Sequence, residues 1–393
     1  MSVALLLSGV SLLVWVGLIA GHGRFWSAGP VLTPEPAAPM PPAGSAWPLV
    51  SVVVPARDEA DSIEAALGSL LRQDYPGPMR VVLVDDDSAD GTGALARALP
   101  DPQGRLRVIA ARARPPGWSG KLWAVSQGVA EARRLAPGEA ESFVLLCDAD
   151  IVHEPAHLTT LVAKALRDRL DQVSEMVELR CESAPERALV PAFVFFFQLL
   201  YPFHRVNDPR SRVAAAAGGT ILVRRAALER IGGIESLKGA LIDDVTLATR
   251  LKRFGPVWLG HSMLARSIRP YPRPVDIWRM VARTAYVQLR FSPLLLAGTV
   301  LGMGLVWMVP LGCLLFAHGW ARGLGAAAWV LSTGSFLPTL RRFRLSPAWA
   351  LLLPAIALFY TLATLGSAFD HHRGRGVVWK NRAYRGEGDA SAA

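Results

Sequence analysis

The chain has 393 residues, 51% of them hydrophobic and 19% charged, and its 42 Lys and Arg against 32 Asp and Glu leave a net charge of +10. That length accommodates a full α/β domain, and the apolar content is too high for such a domain alone. The basic excess comes with no arginine-aromatic array and no nucleic-acid motif, so nucleic-acid binding is not expected, and anionic lipid headgroups with an anionic substrate account for the charge.

Residues 1–22 are predicted to form an N-terminal transmembrane anchor, since Val3 to Ala20 carries no charge and has about the length that crosses a bilayer. A signal peptide is the alternative, but no Lys or Arg precedes the apolar run and no small-x-small cleavage site precedes Gly21. Residues 23–48 are rich in Pro and Ala and read as a semi-extended linker. From 49 to 270 strand and helix patterns alternate: "LVSVVVPA", a helix through Ile63 to Arg72, "RVVLVDD", a short helix after Gly91, "LRVIAA", a helix from Lys121 to Arg134, then "FVLLCDAD". This order predicts an α/β domain built on a largely parallel, Rossmann-like sheet.

Acids collect where such a sheet ends its strands. Asp58 and Glu59 follow the first strand, Asp85, Asp86 and Asp87 end the second, and Asp148 and Asp150 end the fourth. In open α/β sheets ligands bind at that edge. Carboxylates accept hydrogen bonds and cannot donate them, which suits a uracil imide or ribose hydroxyls. Neither GxGxxG nor GxxxxGK[ST] follows a strand, so no glycine-rich phosphate cradle is expected. A diphosphate then needs a metal, and "DAD" offers Asp148 and Asp150 to Mg²⁺ or Mn²⁺. The plainer reading of "DAD" is a turn with solvated acids.

Further along, "LVPAFVFFFQLLYPFHRV" (189 to 206) is apolar but shorter than a span, and reads as an interfacial helix or a buried core helix. Residues 271–291 are predicted as an amphipathic interfacial helix, on which Arg279 and Arg283 lie one turn apart, to meet phosphate, an acceptor or lipid headgroups. Residues 292–370 form a C-terminal transmembrane region of two or three segments: Pro293 to Ala317 and Leu345 to Ala368 are long enough to span, while Leu324 to Leu340 is short and open to a re-entrant reading. The route matters for the basic tail, 371–393. With four crossings and an inside central domain the tail ends outside, against the positive-inside rule, whereas a re-entrant segment places "RRFR" outside instead. Cys147, Cys181 and Cys313 form no CxxC pair and fit a reducing compartment.

The segments "VSVVVPARDE", "VVLVDDDSADGT", "GWSGKLWA", "LLCDAD" and "GALIDDVTLATRLKRFG", in this order and spacing, resemble the membrane-bound inverting glycosyltransferases of family 2, with a GT-A fold. Within that family the chain resembles the hopene-associated glycosyltransferases, related to ceramide-glucosyltransferase-type enzymes. The resemblance runs from about Leu49 through the C-terminal membrane segments. It implies a multi-pass protein of the bacterial inner membrane whose catalytic domain faces the cytoplasm and moves a sugar from a nucleotide-diphosphate donor, a UDP-sugar, to a lipid hydroxyl. It also implies that Asp58 or Glu59 and Asp86 hold the uridine, that Asp148 and Asp150 serve the metal with Asp150 the direct ligand, and that Asp244 is the catalytic base beside Asp243.

The residues themselves leave several roles open. Asp243 and Asp244 also suit the N-terminus of a helix from Val245 to Arg253. Lys121 opens a helix near the ligand edge and meets either the diphosphate or solvent. Gly219, after Gly218, permits close approach of a sugar or marks a turn, and Trp118 stacks on a sugar or packs. The motif of processive members, Q/RxxRW, is altered here: in "DIWRMVARTAYVQLRF" Met280 and Thr284 flank Arg283, which argues against long-chain polysaccharide synthesis. Transfer to polyprenyl phosphate, or a non-catalytic scaffold for a lipid-synthesis complex, are the alternatives.

Overall fold

The computed structural model describes residues 2–34, 46–137, 142–373, 377–379 and 382–384. Most of the predicted basic tail and residues 35–45 of the predicted linker lie outside the described residues. The chain divides into two compact units.

The first unit comprises Pro30–Arg180 and Arg205–Arg269 and is built on a sheet. Its strands in chain order are β1 (Val31–Leu32), β2 (Val50–Ala56), β3 (Met79–Asp85), β4 (Leu106–Ala110), β5 (Phe143–Cys147), β6 (Ile151–His153), β7 (Gln172–Glu178), β8 (Thr220–Arg224) and β9 (Val257–Ser267). Among the described residues they form one nine-stranded sheet in the order β1-β9-β7-β8-β5-β2-β3-β4, with β6 added on β9. Every residue of β2 is buried, as a strand covered on both faces requires. The helix Gly120–Leu135, capped by Ser119, lies against β2 and β3. Gly128 makes the approach possible: a Cβ there would come within 2.4 Å of a Val53 methyl and 3.0 Å of Val84.

The sheet is mixed and mostly parallel. β8 runs against both its neighbours, β5 and β7, and β6 runs against β9. An apolar run such as "TILV" carries no sign of its direction, so the sequence pattern alone leaves this reversal unseen. Its consequence is local. Because β8 is antiparallel to β5, its first residue, Thr220, pairs with the last of β5, Cys147, and Gly219 is brought to the acidic loop, where its carbonyl accepts from the Asp148 N–H at 3.1 Å. Val31 and Leu32, inside the stretch read as linker, pair with β9, and Leu32 is buried in the sheet's apolar core.

The second unit comprises Met1–Gly29, Cys181–His204 and Pro270–Tyr384 and is helical. Three of its helices, Val3–Gly21, Pro293–Phe316 and Pro347–His372, are long and apolar enough to cross a membrane. The segment between the last two is a single 24-residue helix, Gly319–Arg342. Pro293–Phe316 contains a π-turn over Gly304–Met308, just ahead of Pro310. Pro310 has no N–H to give the Val306 carbonyl four residues back. The indole of Trp15 donates to that carbonyl instead, at 2.9 Å, and Trp15 is fully buried. The apolar segment after Leu189 belongs to the helix Ala184–Leu200, which groups with this unit. Phe195 packs against Phe25, Trp307 and Phe336, with ring centroids 5.1 to 6.2 Å apart.

Candidate active site

One cleft in the sheet unit gathers the end of β5 with two helix starts, while Asp58, Glu59, Asp86 and Asp150 lie outside its lining. Asp148, Lys121, Gly218, Asp243 and Asp244 line this partly open cleft. β5 delivers Asp148, the helix Gly120–Leu135 delivers Lys121 in its first turn, and the helix Asp243–Leu251 starts at the acid pair. Lys121 Nζ lies 2.7 Å from Asp148 Oδ1. Burial alone would push the Lys121 ammonium toward its neutral form, but Asp148, Asp243 and Asp244 more than offset that and hold its pKa above the usual lysine range. Burial also raises the Asp148 carboxyl, with Lys121 opposing and Asp150 adding to the rise. Asp244 is pushed up to about 7, first by burial and then by the charge of Asp243. A carboxylate held near neutrality beside a cleft is suited to taking a proton at physiological pH. Gly218 keeps the wall open: a Cβ there would sit 3.3 Å from Asp244 Oδ2 and 3.7 Å from Lys121 Nζ.

A second cluster forms where β2 and β3 end. Asp86 is buried, and Arg57, which the sequence reading passed over, donates from Nη1 to its carbonyl and lies 4.0 Å from its carboxylate. Asp58 and Asp87 both adopt left-handed backbone, with φ of 50° and 58°. The loop is tied by side chains: the Ala89 N–H donates to Asp58 Oδ1 at 2.9 Å, the Asp58 N–H to Ser88 Oγ at 3.1 Å, and the Glu59 N–H to Thr92 Oγ1 at 2.8 Å. Asp90 accepts from the Thr92 hydroxyl at 2.6 Å, which explains "DGT" as a structural lock on the loop.

Asp150 is placed differently from Asp148. Its Oδ2 accepts from Arg269 Nε at 2.5 Å, and Arg269 Nη2 reaches Glu59 Oε1 at 2.6 Å. Among the described residues no three or more His, Cys, Asp or Glu groups gather as a protein-only metal cage. Two carboxylates in one loop nevertheless fit a hard divalent cation that completes its shell with phosphate oxygens and water. Trp118 is buried with its ring 5.3 Å from Trp123, so its face packs. Arg279 and Arg283 sit exposed on the helix Pro274–Gln288 of the helical unit.

Behind Asp148 runs a buried polar chain absent from the sequence reading. Cys147 Sγ is 3.0 Å from His153 Nε2, His153 Nδ1 is 3.1 Å from His157 Nδ1, and His157 Nε2 is 2.6 Å from Glu175 Oε2. Burial keeps the thiol protonated and the His153 ring neutral. The thiol also lies 3.3 Å from the Asp148 carbonyl, an acceptor for its hydrogen, so the chain of polar contacts ties the acidic loop to β7. "CDADIVHEPAH" carries the signal, two histidines spaced as one strand end and the next helix start.

A mixed, mostly parallel sheet with acids at its strand ends, and a further acid pair at a helix start beside them, is the architecture of a GT-A domain. Residues 51–232 match the model for glycosyl transferase family 2. It is similar to the succinoglycan biosynthesis protein ExoO of Rhizobium meliloti, with 36% identity over 160 residues covering 38% of this chain and 42% of that one. It is also similar to the probable glycosyltransferase YdaM of Bacillus subtilis, with 24% identity over 212 residues covering 53% and 47%. The chain thus spans less than half the length of these curated relatives. In fold it resembles a mannosyltransferase, PcManGT of Pyrobaculum calidifontis, solved with GDP-Man and Mn²⁺, with a TM-score of 0.50 and 20% identity over 92% of this chain and 99% of that one.

Proposed function

We propose that the protein is a membrane-bound inverting glycosyltransferase that moves a sugar from a nucleotide-diphosphate donor, a UDP-sugar, to a lipid hydroxyl in hopanoid or related lipid biosynthesis. The observation that carries the reading is the cleft itself, where Lys121 and Asp148 face the pair Asp243 and Asp244, with Asp244 titrating near neutrality. In this reading Asp58, Glu59 and Asp86 hold the nucleoside, and Gly218 leaves room for the sugar, whereas Gly219, expected from the sequence to do so, packs against Val177 and Ile151. Asp148 and Asp150 would hold Mg²⁺ or Mn²⁺, which when bound would supply Lewis-acid stabilisation of the leaving diphosphate. Lys121 adds a second positive charge on the same side. Asp244 accepts the proton of the acceptor hydroxyl as its oxygen attacks the anomeric carbon from the face opposite the leaving group, so the configuration inverts. Asp243 keeps Asp244 basic by like-charge repulsion.

The three apolar helices support anchorage in the bacterial inner membrane, with the sheet unit in the cytoplasm where nucleotide sugars are made, and the exposed Arg279 and Arg283 toward lipid phosphate or the acceptor. The test is nucleotide release by the detergent-purified chain from a panel of UDP- and GDP-sugars, with Mn²⁺, Mg²⁺ or EDTA, with and without bacterial lipid extract. Metal- and lipid-dependent release from one donor is expected. Release that persists in an Asp244→Asn variant would favour polyprenyl phosphate, an acceptor already ionised, and binding of no donor would favour a scaffold.

A further inference from the structure

The guanidinium of Arg269 bridges two buried carboxylates that arrive from different strand ends. Glu59 follows β2 and Asp150 follows β5, and their side chains are 10% and 11% exposed against 33% for Arg269, so the arginine is the more accessible member of the trio. Its position is built into the sheet. β6 pairs antiparallel with β9 so that Ile151 faces Ser267, and the Ile268 N–H donates to the Asp150 carbonyl at 3.0 Å. The arginine one residue on is therefore held beside Asp150 by backbone register. Arginine stays charged at any pH the protein meets, and its planar fork suits two carboxylates as well as it suits phosphate oxygens. A divalent cation and a guanidinium on one carboxylate oxygen repel each other at close range.

We propose that Arg269 is the resident counter-cation of Asp150, and that it exchanges this carboxylate for the donor's diphosphate when a divalent cation binds, so that metal and nucleotide enter together. The proposal rests on the glycosyltransferase reading for its second half only. Metal alone must displace the guanidinium from Asp150 and leave it facing a dication. Metal with a diphosphate supplies the arginine with a new anionic partner, so each ligand strengthens the other.

The experiment is Mn²⁺ binding to the detergent-solubilised full chain, followed by electron paramagnetic resonance, without nucleotide and with UDP or GDP. Wild type is expected to bind Mn²⁺ weakly alone and much more tightly with UDP. Arg269→Gln is expected to bind Mn²⁺ alone roughly tenfold more tightly, while the factor by which UDP tightens Mn²⁺ shrinks. Adding Asp150→Asn should erase the gain, which ties it to that carboxylate. Should the Gln variant not fold, Arg269→Lys carries the same test, since lysine keeps the charge and loses the fork, and a smaller gain in the same direction is expected. Mn²⁺ affinity that is unchanged or weaker in the variant without nucleotide overturns the proposal, because Arg269 would then only tie the two loops. If neither UDP nor GDP binds with Mn²⁺, the glycosyltransferase reading and the exchange onto diphosphate fall together, while the nucleotide-free arm still decides the role at Asp150.

Discussion

Replacing Asp244 by Asn tests the proposed base in two directions at once. The carboxyl titrates at about 7 where an unperturbed aspartate has 3.8, so the folded state holds a proton that the unfolded chain releases. Folding stability contributed by this group is therefore present at low pH and is lost as pH rises from 3.8 through about 7. At 1.36 kcal/mol per decade the difference corresponds to about 4 kcal/mol as an upper limit, which solvent screening of this partly exposed side chain reduces to roughly 1–2 kcal/mol. Asn carries no charge to bury, so Asp244→Asn should raise the thermal midpoint at pH 8 and change it little at pH 4, while sugar transfer is lost. In wild type, kcat/KM should climb roughly tenfold between pH 6 and 8 as the base is freed. Asp243→Asn removes the second-largest cause of the shift and should move that limb to lower pH; Lys121→Met removes an opposing charge and should move it higher. Scanning calorimetry across pH and initial-rate profiles of the three variants make the comparison. A variant Asp244→Asn that transfers sugar, or a limb that neither neighbour moves, refutes the reasoning.

Two packing predictions follow from single contacts. Gly128→Ala drives a methyl to 2.4 Å from Val53 and should cost about 1–3 kcal/mol in urea unfolding, against a neutral or stabilising effect for the same change in an open helix. Trp15→Phe keeps one aromatic ring but removes the indole N–H and part of the buried volume, leaving the Val306 carbonyl unpaired beside Pro310. A loss of about 1–3 kcal/mol is expected in detergent unfolding, and an unchanged midpoint would show that the carbonyl finds another donor.

The strand ends were legible in the sequence because β2 and β5 are covered on both faces, so each reads as an apolar run that stops at charge. Asp148 was found for that reason, whereas Asp244, in the first turn of a helix, was singled out only by the family resemblance; the cleft brings the two together with Lys121. What escaped was set by long-range register. Arg269 reaches Asp150 only through the pairing of β6 with β9, 119 residues apart in the chain. Glu175 meets His157 across a helix and a strand, and Trp15 meets Val306 over a separation of 291 residues. Local pattern carries none of these. The grouping of Ala184–Leu200 with the helical unit is of the same kind, since its aromatic face suits an interface and a core equally well.

The left-handed turns at Asp58 and Asp87 constrain how this sequence can drift. Side chains with a branched Cβ meet steric cost there, while Gly, Asn and Asp do not. Asn is the one neighbour that keeps both the turn and the side-chain shape while discarding the charge. In the proposed reading Asp58 alone of the two holds the nucleoside, so a lineage that abandoned donor binding but kept the fold would pass through Asn at that position, and a related chain with Asn there would be a candidate for a domain that has lost its donor.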